Sequence, residues 1–289
     1  MRPMLSFRSI LSALVLSMLG AVSTGTALAQ ANYPDKPVRF VVPYPPGGGT
    51  DVVARIVAEQ LSADIGQPVI VDNKPGAGGA IAVQAMMAGV DAVVHLGGVS
   101  TEQPWAPILQ ANIVGMYHLY EAARIHGVRR VVFASSNHVT GFYKQGQTIT
   151  ADDPPRPDGL YGLSKAFGED LSRFYFDRYG IETACVRIGS SFPEPRDRRM
   201  LASWLSYDDL HRLITACLTT PVLGHSIIFG MSNNAVTWWD NSRARHVGFV
   251  PQDSSDVFRQ AIYQNTPEPD LSDPAVQYQG GAFVKMGPM

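Results

Sequence analysis

Two hydrophobic periods alternate along this chain. Short β-branched and aromatic runs read as strands, and between them apolar residues three and four positions apart read as helices. Val38-Arg39-Phe40-Val41-Val42 predicts a first strand, which Pro45 and Pro46 stop. Gly47-Gly48-Gly49 forms a loop, and Val52, Val53, Ile56, Val57 and Leu61 then share a helical face. Thr50 or Asp51 can cap that helix, and Gly66 ends it. Pro68-Val69-Ile70-Val71-Asp72 predicts a second strand, followed by a glycine-rich loop at residues 75–79 and a helix over Ile81–Met87.

The same alternation continues downstream. Asp91–Gly98 reads as a buried strand, and Ile108, Leu109, Ile113, Met116, Leu119, Tyr120 and Ala123 as the stripe of a helix that Gly127 closes. Val131–Ala134 is the next strand and runs into Ser135-Ser136-Asn137-His138. After a polar, proline-rich loop, Tyr161 opens a helix with Leu163, Phe167, Leu171 and Phe174 expected inward. Glu182–Ile188 is another strand, Asp208 and Asp209 open a further helix, and Trp238 and Trp239 read as packing residues. Strands alternating with helices across short connections imply an α/β protein with a doubly wound parallel sheet, Rossmann-like, whose ligands sit at the carboxyl ends of the strands.

Composition narrows the class. The 289 residues are 45% hydrophobic and 17% charged, enough apolar surface for a buried core, which excludes a disordered chain. A net charge of -2 offers no basic excess, so nucleic acid is not an expected partner. Cys185 and Cys217 stand alone, without metal-ligand or disulfide spacing, and no metal is expected. The opening is an address: Arg2 and Arg8 precede the apolar run Ile10–Val22, and small residues lead to Ala27-Leu28-Ala29. That order is a secretory signal peptide over residues 1–29, and no later run is long enough to span a bilayer.

Candidate chemistry lies at Ser136, Tyr161 and Lys165. Tyr161 and Lys165 are four apart, so a helix presents both on one face. A phenol is a poor base at neutral pH, and a nearby ammonium favours its ionised form. Ser136, at the end of the preceding strand, can hydrogen-bond the same substrate oxygen. Tyr161 would take a hydroxyl proton while a hydride leaves for a nicotinamide ring.

Two resemblances overlie this reading. From Tyr33 to Gly79 the sequence (YPDKPVRFVVPYPPGGGTDVVARIVAEQLSADIGQPVIVDNKPGAGG) resembles the opening of the periplasmic substrate-binding proteins of tripartite tricarboxylate transporters. From about residue 83 to 283 the segments GVDAVVHLGGVSTE, ANIVGMYHLYEAAR, VVFASSNHVTGFY and RPDGLYGLSKAFGED resemble the uronate dehydrogenases of the extended short-chain dehydrogenase/reductase (epimerase/dehydratase) family. VRIGSSFPEPRDRRMLASWLSYDDL and WWDNS belong to the same likeness. The organisation expected is therefore a signal peptide at 1–29, a binding-protein-like βαβ fragment at 30–80 and a dehydrogenase-like domain at 81–289.

The second resemblance implies oxidation of the anomeric hydroxyl of a hexuronic acid, such as glucuronate or galacturonate, to an aldarolactone with NAD. Tyr161 is then the base, Lys165 lowers its pKa and holds the nicotinamide ribose, and Ser136 positions the hydroxyl. Leu96, Gly97, Gly98 and Ile188 join Tyr161 and Lys165 around NAD. Ser100, Ser136, Asn137, His138 and Ser190 would contact the sugar, and Arg199 its carboxylate. The first resemblance implies instead an exported carboxylate-binding protein, and a non-functional fusion is a third reading. The signal implies the periplasm, the dehydrogenase likeness the cytoplasm, and a homo-oligomer is compatible with either. The family's own glycine motif, the acidic residues after it and its third strand have no counterpart, so one edge strand is expected to be missing. Asp51 and the prolines would then oppose a pyrophosphate, and weak NAD binding is expected.

Overall fold

The computed structural model describes residues 36–42, 45–47, 49–74 and 90–287. The expected signal peptide, the loop at 75–79 and the helix over Ile81–Met87 lie outside them. β1 (Val38–Val42) and β2 (Val69–Asn73) pair in parallel, in register from Val38 opposite Val69 to Val42 opposite Asn73. α1 (Gly49–Ile65) connects them, and Gly66 ends it at φ +65°, a left-handed conformation that favours glycine.

A second parallel sheet follows. β3 (Ala92–His95), β4 (Arg130–Ser136), β5 (Glu182–Ile188) and β6 (His225–Gly230) hydrogen-bond in that order. β1 lies against β3, so the two sheets run as neighbours with the N-terminal βαβ unit on the β3 side. α2 (Gly115–His126) precedes β4, and a short helical turn at Trp105–Ile108 and a π turn at Leu109–Val114 lead into it. α3 (Leu160–Tyr179) connects β4 to β5, and α4 (Tyr207–Thr219) precedes β6. Ser206 caps α4 through the Asp209 N–H, with Asp208 and Asp209 in its first turn.

The βαβ opening is built into the core rather than appended to it. Phe40, Val42, Ala54, Val57 and Leu61 share one buried cluster with Val132, Ala184, Val186, Leu213 and Ile228. Asp64 on α1 reaches His211 on α4 at 3.2 Å. Beyond β2 no further strand pairs among the described residues. Trp238 and Trp239 are buried in a separate cluster with Tyr143, Ile149 and Phe229.

Three expectations are corrected here. β3 is half-buried along its length rather than fully buried, since it lies at the margin of the four-stranded sheet. On α1, Val52 and Ile56 are exposed and Ala54 and Ala58 are buried in their place. On α3, Leu163 and Phe174 are also exposed, and the inward positions are Tyr161, Ser164, Lys165, Glu169, Ser172 and Tyr175. That helix buries its polar side because strand residues beneath it satisfy those groups.

Candidate active site

The carboxyl ends of β3, β4 and β5 open onto a cavity of about 580 Å³. Register carries Ser136 on β4 level with Ile188 on β5, so both meet the cavity at one height. All the residues expected to bind NAD or sugar line it: Leu96, Gly97, Gly98 and Ser100 after β3, Ser136, Asn137 and His138 after β4. Tyr161 and Lys165 enter from α3, and Ile188, Ser190 and Arg199 come from β5 and the loop beyond.

Tyr161 sits in the first turn of α3, whose N-terminus is held from outside. Glu102, 3% exposed, accepts the Leu160 N–H and the Tyr161 N–H through its two carboxylate oxygens, both at 2.9 Å. Gly159 leaves the room for it: a Cβ there would lie 2.4 Å from Glu102 Oε2. Lys165 Nζ lies 5.7 Å from the Tyr161 ring centre and donates to the Ala134 carbonyl at 2.8 Å. Burial holds this lysine down to about 8. Burial also pushes the Tyr161 phenol above its ordinary value; the Ser136 hydroxyl pulls it back and the Asp158 carboxylate adds to the rise. Desolvation therefore outweighs the lowering expected from Lys165.

The loop after β3 is tied to the same helix. Asn112 in the π turn accepts the Val99 N–H (2.7 Å), and its amide donates to the Val99 carbonyl (3.0 Å) and to Ser164 (2.8 Å). Gly98 adopts φ +121° beneath it, and a Cβ would meet Asn112 Oδ1 at 2.6 Å. Only glycine passes there, which keeps the Gly97-Gly98 backbone at the cavity wall.

The far end of the cavity is polar and crowded. Arg196 lies over Phe192 and Arg198 pairs with Glu268, whereas Arg199 turns inward. Its Nε donates to the Gln279 carbonyl (2.6 Å) and its Nη1 to Ser190 Oγ (3.3 Å). The Asn137 amide, oriented to satisfy both ends, donates to the Ile188 carbonyl and accepts from Arg199 Nη2, each at 3.0 Å. His138 does not serve a loop carbonyl: its Nδ1 lies 2.7 Å from Asp158 Oδ2, and Phe283 stacks on its ring. Glu102, Asn112, Asp158 and Phe283 were not singled out from the sequence. Glu102, Asn112 and Asp158 are polar residues in loops or a helix bend, where no periodicity marks them.

A dinucleotide fits one half of this cavity well. The Lys165 donors beyond its Ala134 bond have no protein partner among the described residues, and the glycine pair gives a close backbone wall. The other half is different. The cavity reaches α1 at Val53, where the loop donor Gly47 N–H is taken by Asp51 Oδ2 at 2.8 Å. Arg55, the Gly47 N–H and the Asn73 amide together hold the Asp51 carboxyl down at about 2, so it is a fixed negative charge. Asp72, near the end of β2, is engaged by Arg39 and Lys74. Among the described residues, no group of three His, Cys, Asp or Glu side chains is placed to hold a metal ion.

The NAD dependent epimerase/dehydratase family matches residues 78–213. The uronate dehydrogenase of Pseudomonas syringae pv. tomato is 58% identical over 207 residues, covering 72% of this chain and 75% of that one. That of Pseudomonas putida is 57% identical over 207 residues, covering 72% and 77%. The crystal structure of uronate dehydrogenase from Agrobacterium tumefaciens superposes with a TM-score of 0.77 at 44% identity, over 86% of this chain and 97% of that one. A point mutant of the same enzyme complexed with NAD gives 0.79 at 43% identity, over 88% and 98%. The N-terminal part is similar to another protein: BugT of Bordetella pertussis is 53% identical over 53 residues, 18% of this chain and 16% of that one.

Proposed function

The chain belongs to the uronate dehydrogenases of the NAD dependent epimerase/dehydratase family, and from that premise we propose how its residues perform NAD-dependent oxidation of a hexuronic acid at the anomeric carbon. The observation that carries the reading is that Ser136, Tyr161 and Lys165 line one cavity together with Arg199. When bound, NAD supplies the hydride acceptor.

Arg199 binds the uronate carboxylate with guanidinium N–H groups not used by Gln279, Ser190 and Asn137, because a planar fork matches a carboxylate. Asn137 and Ser190 fix Arg199 and line the sugar's path, and Ser100 and His138 face it from the other loops. That anchoring places the anomeric hydroxyl between Ser136 and Tyr161. Ser136 orients the oxygen, and Tyr161 accepts the proton as the anomeric C–H bond gives up its hydride. Tyr161 acts from its phenolate form, which the Lys165 ammonium stabilises before the proton arrives, and Lys165 would also hold the ribose side of the cofactor. The product is the aldarolactone, and Tyr161 returns its proton to solvent.

The front end is read as a fusion. Residues 30–80 derive from a transporter binding-protein opening, and the signal at 1–29 directs the chain to the periplasm. A stand-alone carboxylate-binding role draws on that short likeness only, and the burial of Phe40, Val57 and Leu61 in the dehydrogenase core favours the enzyme. The test is NADH appearance at 340 nm with galacturonate and glucuronate. Turnover lost in Tyr161→Phe, with uronate binding retained, supports the assignment, and turnover unchanged in that variant ends it.

A further inference from the structure

Asp158 is a fully enclosed carboxylate behind the cavity residue His138, and among the described residues no Lys or Arg side chain is in contact with it. Its side chain has no exposure at all. Three glycines make the space it occupies: a Cβ on Gly141 or on Gly280 would lie 1.9 Å from Asp158 Oδ2, and one on Gly162 would lie 3.2 Å from Oδ1. Oδ2 contacts His138 Nδ1 at 2.7 Å, and Oδ1 is buried without a hydrogen bond. A carboxylate buried at that cost, with one oxygen idle, is kept for what the other oxygen does.

What it does is fix a ring that borders the substrate. His138 is stacked by Phe283 with ring centres 3.7 Å apart, and the Tyr161 ring meets its edge at 5.8 Å. Phe283 therefore covers one face of the imidazole and Tyr161 borders it, while Asp158 takes Nδ1. Among the described residues Nε2 has no hydrogen-bond partner and is not one of the buried unpaired atoms, which leaves it open to the cavity that His138 lines. The charged and titratable groups around this ring are Asp158 before α3, Tyr161 and Lys165 on α3, and Arg199 from the loop after β5.

We propose that Asp158 is a positioning residue that fixes His138 as its Nδ1–H tautomer, so that Nε2 accepts a hydrogen bond from a hydroxyl of the uronate. A carboxylate accepts only, so the proton of a neutral ring must sit on Nδ1. The bare Nε2 then selects a sugar carrying a hydroxyl donor at that place and cannot itself donate to a carboxylate, which remains the task of Arg199. The substrate part of this inference rests on the uronate reading; the tautomer part does not.

The first measurement needs no substrate and no variant fold. Nitrogen-15 NMR of histidine-labelled wild-type protein at about pH 8.5, above the ordinary imidazole range, reports which ring nitrogen carries the proton, with the His138 signals assigned by their loss in His138→Gln. A protonated Nδ1 and bare Nε2 are expected, and a protonated Nε2 overturns the proposal. The second measurement is steady-state kinetics of Asp158→Ala and of Gly141→Ala, which displaces the carboxylate without removing it. KM for the uronate should rise about tenfold in each, the loss of roughly one hydrogen bond, with KM for NAD unchanged. Equal losses toward both ligands, or no change toward the uronate, count against it. A wild-type enzyme with the expected tautomer but no turnover would overturn the uronate reading and leave the tautomer assignment standing.

Discussion

At the scale of single residues, two buried groups set the chemistry. Tyr161 is 7% exposed and lies beside Ser136 and an ammonium that burial has already brought down to about 8. Removing the phenol oxygen in Tyr161→Phe removes the proton acceptor proposed for the reacting hydroxyl. Turnover should fall by about 10²–10⁴ or more, with the fold unchanged by circular dichroism. Lys165 carries a pH dependence whose sign follows from burial. Its folded value, about 8, lies below the ordinary 10.5, so folding favours the neutral amine. The folded state is penalised below pH 8 and gains stability as pH rises from 8 toward 10.5. Lys165→Met removes that dependence. Its stability relative to wild type should be greatest near neutral pH and should decline across this window, in urea unfolding measured at several pH values. A difference that stays flat from pH 7 to 10.5 would show that the amine carries no burial penalty.

Among the elements, α3 joins catalysis to the sheet. Tyr161, Lys165 and Glu169 are spaced four apart on its buried side, and Glu169 fastens that side to two strands. It accepts Ser135 Oγ at 2.6 Å and Arg187 through Nε and Nη2 at 3.0 and 2.8 Å. Arg187 is 1% exposed, so Glu169→Gln would strand a buried guanidinium. A loss of about 3–5 kcal/mol is expected in chemical denaturation, with turnover falling as the helix loosens. The same element shows how far the sequence could be read. Its existence, its start and the placing of Tyr161 and Lys165 on one face were legible from local spacing. Its inward face was not, because Leu163 and Phe174 look like core residues, and the groups that satisfy Ser164, Lys165 and Glu169 come from Asn112, Ala134 and Arg187. Hydrophobic period marks a buried face only where that face is apolar. Glu102 and Asp158 escaped for a related reason: they serve α3 and His138 across a fold, and no spacing along the chain records that service.

In the whole molecule, the N-terminal βαβ unit, similar over 53 residues to BugT, packs into the core without offering free phosphate-binding groups at the start of α1. The identity to uronate dehydrogenases spans 72% of the chain and the superposition 86%, so the fold extends past the likeness in sequence. A strand with a buried face and a helix with small and branched residues inward suffice for packing. Hence Leu61→Ala, at a position with no exposure, should cost about 2–5 kcal/mol in a single unfolding transition. A separate early transition would show the unit to be a loose appendage. Binding pyrophosphate asks for more than packing: it needs free backbone N–H groups at the start of α1 and no competing anion there. Asp51 fails both conditions, since it occupies the Gly47 N–H and, held down at about 2, is ionised throughout the working pH range. Asp51→Asn keeps a hydrogen-bond acceptor for Gly47 while removing the negative charge at the start of α1. NADH affinity, read by its fluorescence on titration, should therefore tighten by about fivefold at low salt, the effect of roughly 1 kcal/mol of relieved repulsion. The gain should shrink as salt is added, because screening weakens the same repulsion in the wild-type protein. An affinity that does not respond to this substitution at any ionic strength would mean that the dinucleotide phosphates lie away from α1, and that the borrowed opening serves the cavity only as a wall.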